Sequence, residues 1–394
     1  MDCRRLGLAW LTFGLLWFLL GITWSSTTKL YQQGLIAFFW LPAIWVAWSR
    51  NKFLLDVWRL ERPLMAALSA LLVWSAISVI WTGADEPARE AKRLLYVVCF
   101  LLGLVLVGDA PSRMTAVLQW AGFGLALAAL TALIYYYGIV GMPWEWRVVG
   151  LGLLDHPIIG GYVFGMALIW WSCLPPRRIA LRLVWAAGLL SMFLFIVMTQ
   201  SRGVWIAVLA SALSMPMWRA GRAGVIMASL LVVAAIIGYW LFGHYVVARG
   251  TSYRPEIFAA SVEMIVDNPW LGLGLGSDYR VEALGHSFDH THNVFTHVAL
   301  ELGIPGLILW LIIWGRSFAI AVRESATALG SMLIGLWVFC TMALLFDGAS
   351  LWDSPRPEWF LTWLPVGLAL GLIGVRAASK CYHPRPSTRE CSPL

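Results

Sequence analysis

Charge is scarce in this chain. Asp, Glu, Lys and Arg supply 12% of its 394 residues, against 60% hydrophobic residues and 25 tryptophans. A soluble domain of that length carries about twice the charge. The shortage excludes a soluble globular enzyme, offers no surface for nucleic acid, and leaves an all-α polytopic membrane protein. Cysteine supplies no framework either. Cys3, Cys99, Cys173, Cys340, Cys381 and Cys391 show no paired spacing and lie in or near apolar runs or at the termini. They are expected to pack, neither bridged nor bound to metal. No small-residue cleavage site follows the first apolar run, which therefore reads as a span and not as a removable signal. The run GLGLG at 272–276 has no strand before it and no βαβ unit around it. That excludes a dinucleotide site and leaves a tight backbone turn.

What the chain has in abundance is membrane-length apolar sequence. A span needs about 20 such residues, somewhat fewer when flanking side chains snorkel. Twelve runs qualify: 6–22, 30–48, 64–81, 94–108, 114–137, 157–174, 183–198, 204–217, 224–242, 298–315, 326–346 and 361–375. With Arg4 and Arg5 cytoplasmic, 18 of the 28 basic residues fall in inside loops or the tail, as the positive-inside rule asks. Both termini are then cytoplasmic. The expectation is one integral membrane domain over 1–394, with a large outer, partly helical loop at 243–297 between spans 9 and 10. The outer side also takes 15 of the 21 acidic residues and six of the seven histidines, so chemistry is expected there. Span interiors are almost free of charge, and no internal repeat is evident. Secondary transporters place ionisable groups at mid-span and use paired repeats, so a small-anion transporter is the weaker reading.

The densest polar stretch is HSFDHTHNVFTHVALELGIPG, 286–306, where four histidines occupy 12 positions (286–297). Imidazole titrates nearest working pH, so proton transfer is sought here first. His297 and Glu301 stand one helical turn apart, and that pairing is a sufficient structural account of His297. Asp289, His290 and His292 fit no HExxH or cysteine-bearing zinc pattern, so no metal is expected. His292, followed by Asn293, is the candidate base, with Asp289 or another carboxylate to orient it.

Cations mark the other outer segments. In TGADEPAREAKRL, 82–94, Arg89, Lys92 and Arg93 alternate with Glu86 and Glu90; a solvated interfacial helix explains them, and contact with a lipid phosphate is the alternative. Arg147 lies where the chain turns back toward the bilayer, ahead of Asp155-His156-Pro157, with proline near the first turn of the next span. In TQSRG, 199–203, two apolar runs join almost without a loop. Arg202 is thereby held at the membrane boundary, where it meets either a structural partner or a negatively charged ligand. Within 252–270 a short helix is expected, opened by Arg254-Pro255 and ended by Asp267-Asn268-Pro269. Ile257, Phe258, Val262, Ile265 and Val266 should turn one face to the membrane domain. Arg280 is a further outer cation.

Together these pieces resemble the O-antigen ligase and polymerase superfamily. His292-Asn293 followed by Gly303-Ile304-Pro305-Gly306 looks like its outer-loop signature, and DNPWLGLGLG, TQSRG and the 147–157 segment resemble its other recurring pieces in the expected order. The segment departs from many members at Asp155-His156-Pro157. The resemblance implies a GT-C-like, metal-independent glycosyltransferase without cofactor in the bacterial inner membrane, its active face periplasmic. The donor would be O-antigen on undecaprenyl diphosphate and the acceptor lipid A–core, both reached from the lipid phase. His292 and Arg202 would be catalytic, with Arg147, Arg254, Arg280, Asn293, His156 and Asp289 on the diphosphate or glycan. An O-antigen polymerase or a protein O-oligosaccharyltransferase is the alternative within the superfamily.

Overall fold

In the computed structural model the described residues are 3–219, 221–247, 252–348 and 350–382. Each of the twelve apolar runs lies on a helix. α1 (Cys3–Leu20) is followed by α2 (Thr28–Leu35), where the Thr27 side chain accepts from the Leu30 amide as N-cap. A π-type segment, Ile36–Trp40, carries α2 into α3 (Leu41–Ser49). α4 (Asn51–Leu60) and α5 (Arg62–Ser78) meet at 103°. Then come α6 (Pro87–Val107), α7 (Pro111–Leu133), α8 (Pro157–Ser172), α9 (Ile179–Met198), α10 (Arg202–Trp218) and α11 (Arg222–Val247). Proline at the first or second position opens α5 to α8, where its missing N–H leaves no intrahelical bond unmade.

Among the described residues eight helical segments are long and apolar enough to cross a membrane, or nine when the bent α4–α5 pair is one span. α8 and α10, with 16 and 17 residues, fall below the length of an unaided span, and α6 carries its charges in its first two turns.

The basic residues expected to act as topology signals also hold the bundle together. Arg50 reaches Asp109 at 2.6 Å, and Arg113 pairs with the same carboxylate. Glu61, buried at the α4–α5 bend, is met by Arg316 and, at 3.0 Å, by Arg323. A buried carboxylate needs such partners.

α13 (Val294–Arg323), α14 (Ala328–Phe346) and α15 (Trp363–Tyr382) complete the bundle. α15 is enclosed on nearly all sides, with Trp310, Trp352, Trp359 and Trp363 fully buried.

α13 is broken at Gly303, whose φ of 68° and ψ of −177° suit only glycine. The break strands backbone groups, and the DNPWLGLGLG loop satisfies them. The Leu273 amide donates to the Leu300 carbonyl at 2.7 Å and the Gly274 amide to the Glu301 carbonyl at 2.9 Å. Trp74 Nε1 donates to the Leu302 carbonyl at 2.8 Å, and the Ile304 amide donates to the Pro269 carbonyl at 2.7 Å. A Cβ on Gly303 would lie 2.3 Å from the Trp270 carbonyl oxygen. Two motifs separated in sequence are therefore one structural unit. The turn expected at 272–276 is present, with Gly272, Gly274 and Gly276 all at positive φ.

The outer segment between α11 and α13 contains α12 (Arg254–Asp267) and an antiparallel hairpin of β1 (Val281–Ala283) and β2 (His286–Phe288). Residues 248–251, including Arg249, and the tail with Arg385 and Arg389 lie outside the described residues. α12 turns Ile257 inward onto Val281 and Ala283, forming a small second core with Tyr279 and Phe288 against it. The expected apolar face is thus only partly used. Phe258, Val262 and Val266 stay exposed, because the hairpin, which the sequence pattern did not reveal, covers a different side.

Candidate functional site

The site begins where short connections force side chains to one place. α9 runs into α10 through Gln200, held at a left-handed φ of 48°, and Ser201. Arg202 is then the first helical residue of α10, and its Nη2 donates to Ser252 Oγ at 2.9 Å. Tyr253, also left-handed, makes Arg254 the first residue of α12. Arg147 approaches from the segment between α7 and α8 and donates Nε to the Thr199 carbonyl at 2.7 Å, at the negative end of α9. Gly203 keeps α8 close, since a Cβ there would meet the Tyr162 hydroxyl at 2.5 Å.

These three arginines line one cavity of about 460 Å³ with Gln200, Ser252 and His292. The N-termini of α10 and α12 face it too, adding amide donors and positive helix-dipole ends. Arg254 Nη1 is buried without a hydrogen-bond acceptor among the described residues. This is a strongly anion-seeking space.

His292 forms its rim with a backbone φ of 52°, a left-handed conformation uncommon for a residue with a side chain. Its neighbours enforce it. The Thr291 hydroxyl donates to the Asn293 carbonyl at 2.8 Å. Asn293 caps α13, its side-chain oxygen accepting from the Phe295 amide at 2.9 Å and the Thr296 amide at 3.3 Å, while Nδ2 donates to the Leu345 carbonyl at 3.4 Å. Asn293 borders the cavity, yet its polar atoms are spent on fixing the helix start, so it acts here as a positioning residue.

The carboxylate that reaches His292 is Asp347, at 3.3 Å from Nδ1. Asp289, the expected orienting residue, sits 2.6 Å from Nδ1 of His290 instead, with the His290 and His292 rings tilted 56° to one another at 4.0 Å between centroids. Burial pushes the Asp347 carboxyl up, but the His292 hydrogen bond and the charge of Arg254 outweigh it and hold it below its ordinary range. The His290 hydrogen bond likewise lowers Asp289, and burial together with the charge of His292 lowers His290.

His290, His292 and Asp347 also border a second cavity of about 460 Å³, with His156, Arg356 and Glu358. Partial burial lowers the pKa of His156, and the Arg147 charge adds to it. Arg280 is not brought to the arginine cavity. It lines a third space of about 660 Å³ with Arg89, Arg93, Asp289 and His290. There Arg93 is paired with Glu90 at 2.5 Å and Asp353 at 3.5 Å, and Arg89 with Glu86 at 2.9 Å, so carboxylates occupy the two arginines of the 82–94 segment. His297 pairs with Glu301 at 3.3 Å as expected, and it also meets the Tyr279 hydroxyl at 2.5 Å.

Of the eight residues expected in the site, seven border the two cavities that share His292: that histidine with Arg147, Arg202, Arg254, His156, Asp289 and Asn293. Asp347 is the residue that sequence reasoning missed. Its one signal is an acidic residue immediately after the apolar run that forms α14, where an unpaired carboxylate would be costly.

Residues 187–311, which hold α10, α12, the docked loop and His292, match the family model described as O-antigen ligase. An O-antigen ligase of Pseudomonas aeruginosa is 28% identical to the chain over 321 residues, covering 79% of this chain and 78% of that protein. Motif order, matched region and extended likeness agree, and together they make the chain similar to O-antigen ligases.

Proposed function

We propose that the protein transfers O-antigen polysaccharide from undecaprenyl diphosphate to lipid A–core at the periplasmic face of the bacterial inner membrane, with both termini cytoplasmic. The observation that carries this reading is the His292–Asp347 pair at the rim of a cavity walled by Arg147, Arg202 and Arg254. A proton on Nδ1, directed at Asp347, leaves Nε2 unprotonated and able to accept a proton from an acceptor sugar hydroxyl. The hydroxyl oxygen attacks the anomeric carbon as its proton passes to His292, and the glycosyl–phosphate bond breaks. The diphosphate gains negative charge as it leaves. Cations and helix N-termini fixed beforehand around that charge lower the transition state more than the ground state. Three arginines take the place that a divalent ion occupies in many glycosyltransferases, so neither metal nor cofactor is needed.

The test is transfer by purified protein in detergent, from a polyprenyl diphosphate donor to lipid A–core, without any gradient and with EDTA present. Capped lipid A–core is the expected product; no transfer under these conditions would defeat the proposal. In cells, a single cysteine at position 277 should react with an impermeant maleimide and one at position 325 should not.

A further inference from the structure

Beside the arginine cavity stands a second arrangement, which shares His292 and Asp347 with the proposed transfer site and adds His290. One donor atom from each of His290, His292 and Asp347 lies within 4.8 Å of the other two, all three side chains being half-buried. The contact between His292 Nδ1 and Asp347 Oδ1, 3.3 Å, is long for a charge-assisted hydrogen bond. It equals the edge of a tetrahedron about zinc, about 3.3 Å for metal–ligand bonds of about 2.0–2.1 Å. Asp289 supplies the outer support. Holding Nδ1 of His290 at 2.6 Å, it fixes that ring with Nε2 left for a metal, the carboxylate–histidine arrangement that accompanies most zinc-bound imidazoles.

We infer that His290, His292 and Asp347 form a zinc site that switches transfer off. Two imidazoles and one carboxylate with an open fourth position suit Zn²⁺ and disfavour the oxygen-seeking Mg²⁺ and Ca²⁺. Zinc on Nδ1 of His292 displaces the proton directed at Asp347. The neutral ring then carries its proton on Nε2, the nitrogen that must be bare to accept one from the acceptor hydroxyl. No covalent chemistry is involved, and EDTA reverses the change. The binding site stands independently of the transfer reading; the inhibition rests on it.

The experiment uses the full-length protein in detergent, stripped with EDTA, exchanged into chelator-free buffer and titrated calorimetrically with zinc chloride, with magnesium chloride as control. One zinc per chain should bind, and magnesium should not. His290→Gln and Asp347→Asn should each abolish this binding, and Asp289→Asn should weaken it by about 10–100-fold, with unchanged gel-filtration profiles showing that the variants fold. The same zinc concentration should stop transfer by the unaltered protein, and EDTA should restore it. Zinc binding no tighter than magnesium, or binding unaffected by both His290→Gln and Asp347→Asn, would overturn the site. Zinc bound at these residues with transfer undiminished would overturn the switch. Stoichiometric zinc binding by protein that never transfers glycan would uphold the site and refute the transfer reading instead.

Discussion

Asp347 caps the end of α14 with its carboxylate 3.3 Å from Nδ1 of His292, a residue 55 positions earlier that directly precedes Asn293, the N-cap of α13. The pair joins two helices that pack along each other, so the imidazole is held from both sides. Asn293 caps α13 on one side and reaches the Leu345 carbonyl near the end of α14 on the other. A loop histidine has thereby become part of a rigid framework, which precise proton transfer requires.

Removing either member should therefore lower turnover without unfolding the protein. His292→Ala should reduce kcat by about 10²–10⁴-fold, the usual contribution of a positioned base. Asp347→Asn keeps the shape but loses the carboxylate that orients the ring, and a loss of about 10²-fold is expected. Donor KM should hold in both, and Asp347→Glu should recover part of the loss. Transfer by purified His292→Ala at the unaltered rate would remove the base from the mechanism.

Arg202→Lys should also be severely impaired. Lysine keeps the charge but cannot present two parallel N–H donors to a diphosphate, and it loses the Nη2 contact to Ser252. A fall in kcat of about 10²-fold would match removal of one preorganised donor from a transition-state site. EDTA should leave the unaltered enzyme's rate where it was. Full activity in the lysine variant, or loss on chelation reversed by one added metal, would contradict an arginine-based mechanism.

The break in α13 makes a prediction about stability. Gly303→Ala forces a side chain into backbone angles open to glycine almost alone, costing about 1–3 kcal/mol before any clash, and its Cβ would strike the Trp270 carbonyl. Thermal melting in detergent should drop by several degrees or the protein should fail to accumulate. Gly315→Ala, on an exposed turn of the same helix with open space around it, should be neutral or slightly stabilising. Equal behaviour of the two would mean that the DNPW loop does not dock as described.

Much of this was legible in the sequence, and the limits have physical causes. Composition and apolar runs locate the helices because a span must satisfy its own backbone, and all twelve runs lie on helices. How many cross the bilayer is harder to read, since α8 and α10 are short and α4 lies at a sharp bend to α5. Arg147, Arg202 and Arg254 stand beside chain turns that the sequence marks, and those turns bring all three to one cavity. Asp347 is not so marked, because its partner comes from another helix; proximity in sequence favoured Asp289, which serves His290. Arg280 shows the same limit from the other direction: a cation in the right loop but facing a different cavity.

His156 gives a pH-dependent signature. Burial and the nearby Arg147 charge hold its pKa below the usual value near 6.5, and its place at the N-terminus of α8 opposes a positive ring further. The folded protein then binds fewer protons here than the unfolded chain. The resulting stability is complete above the unfolded pKa and declines as pH falls below about 6.5 toward the folded value. His156→Gln should remove that slope. Melting curves from pH 7.5 to 5 should show the unaltered protein losing more stability than the variant; parallel losses would mean that His156 is not desolvated in the folded state.

The acceptor separates ligation from polymerisation, for both reactions discharge the same diphosphate and need the same base. In a ligase the acceptor is an amphiphile whose acyl chains lie in the leaflet, and under the proposed function its outer sugars would reach His292. In a polymerase it is a second repeat unit on its own carrier. The proposed function commits to the first. A strain lacking this protein should then accumulate polymerised O-antigen on the lipid carrier and leave lipid A–core uncapped, visible as loss of the smooth ladder on a gel while carrier-linked polymer persists. Restoring the gene should restore the ladder, and His292→Ala should not. If the strain instead caps lipid A–core with single repeats, the protein elongates chains, and the space beside His292 receives a carrier-bound glycan in place of lipid A–core.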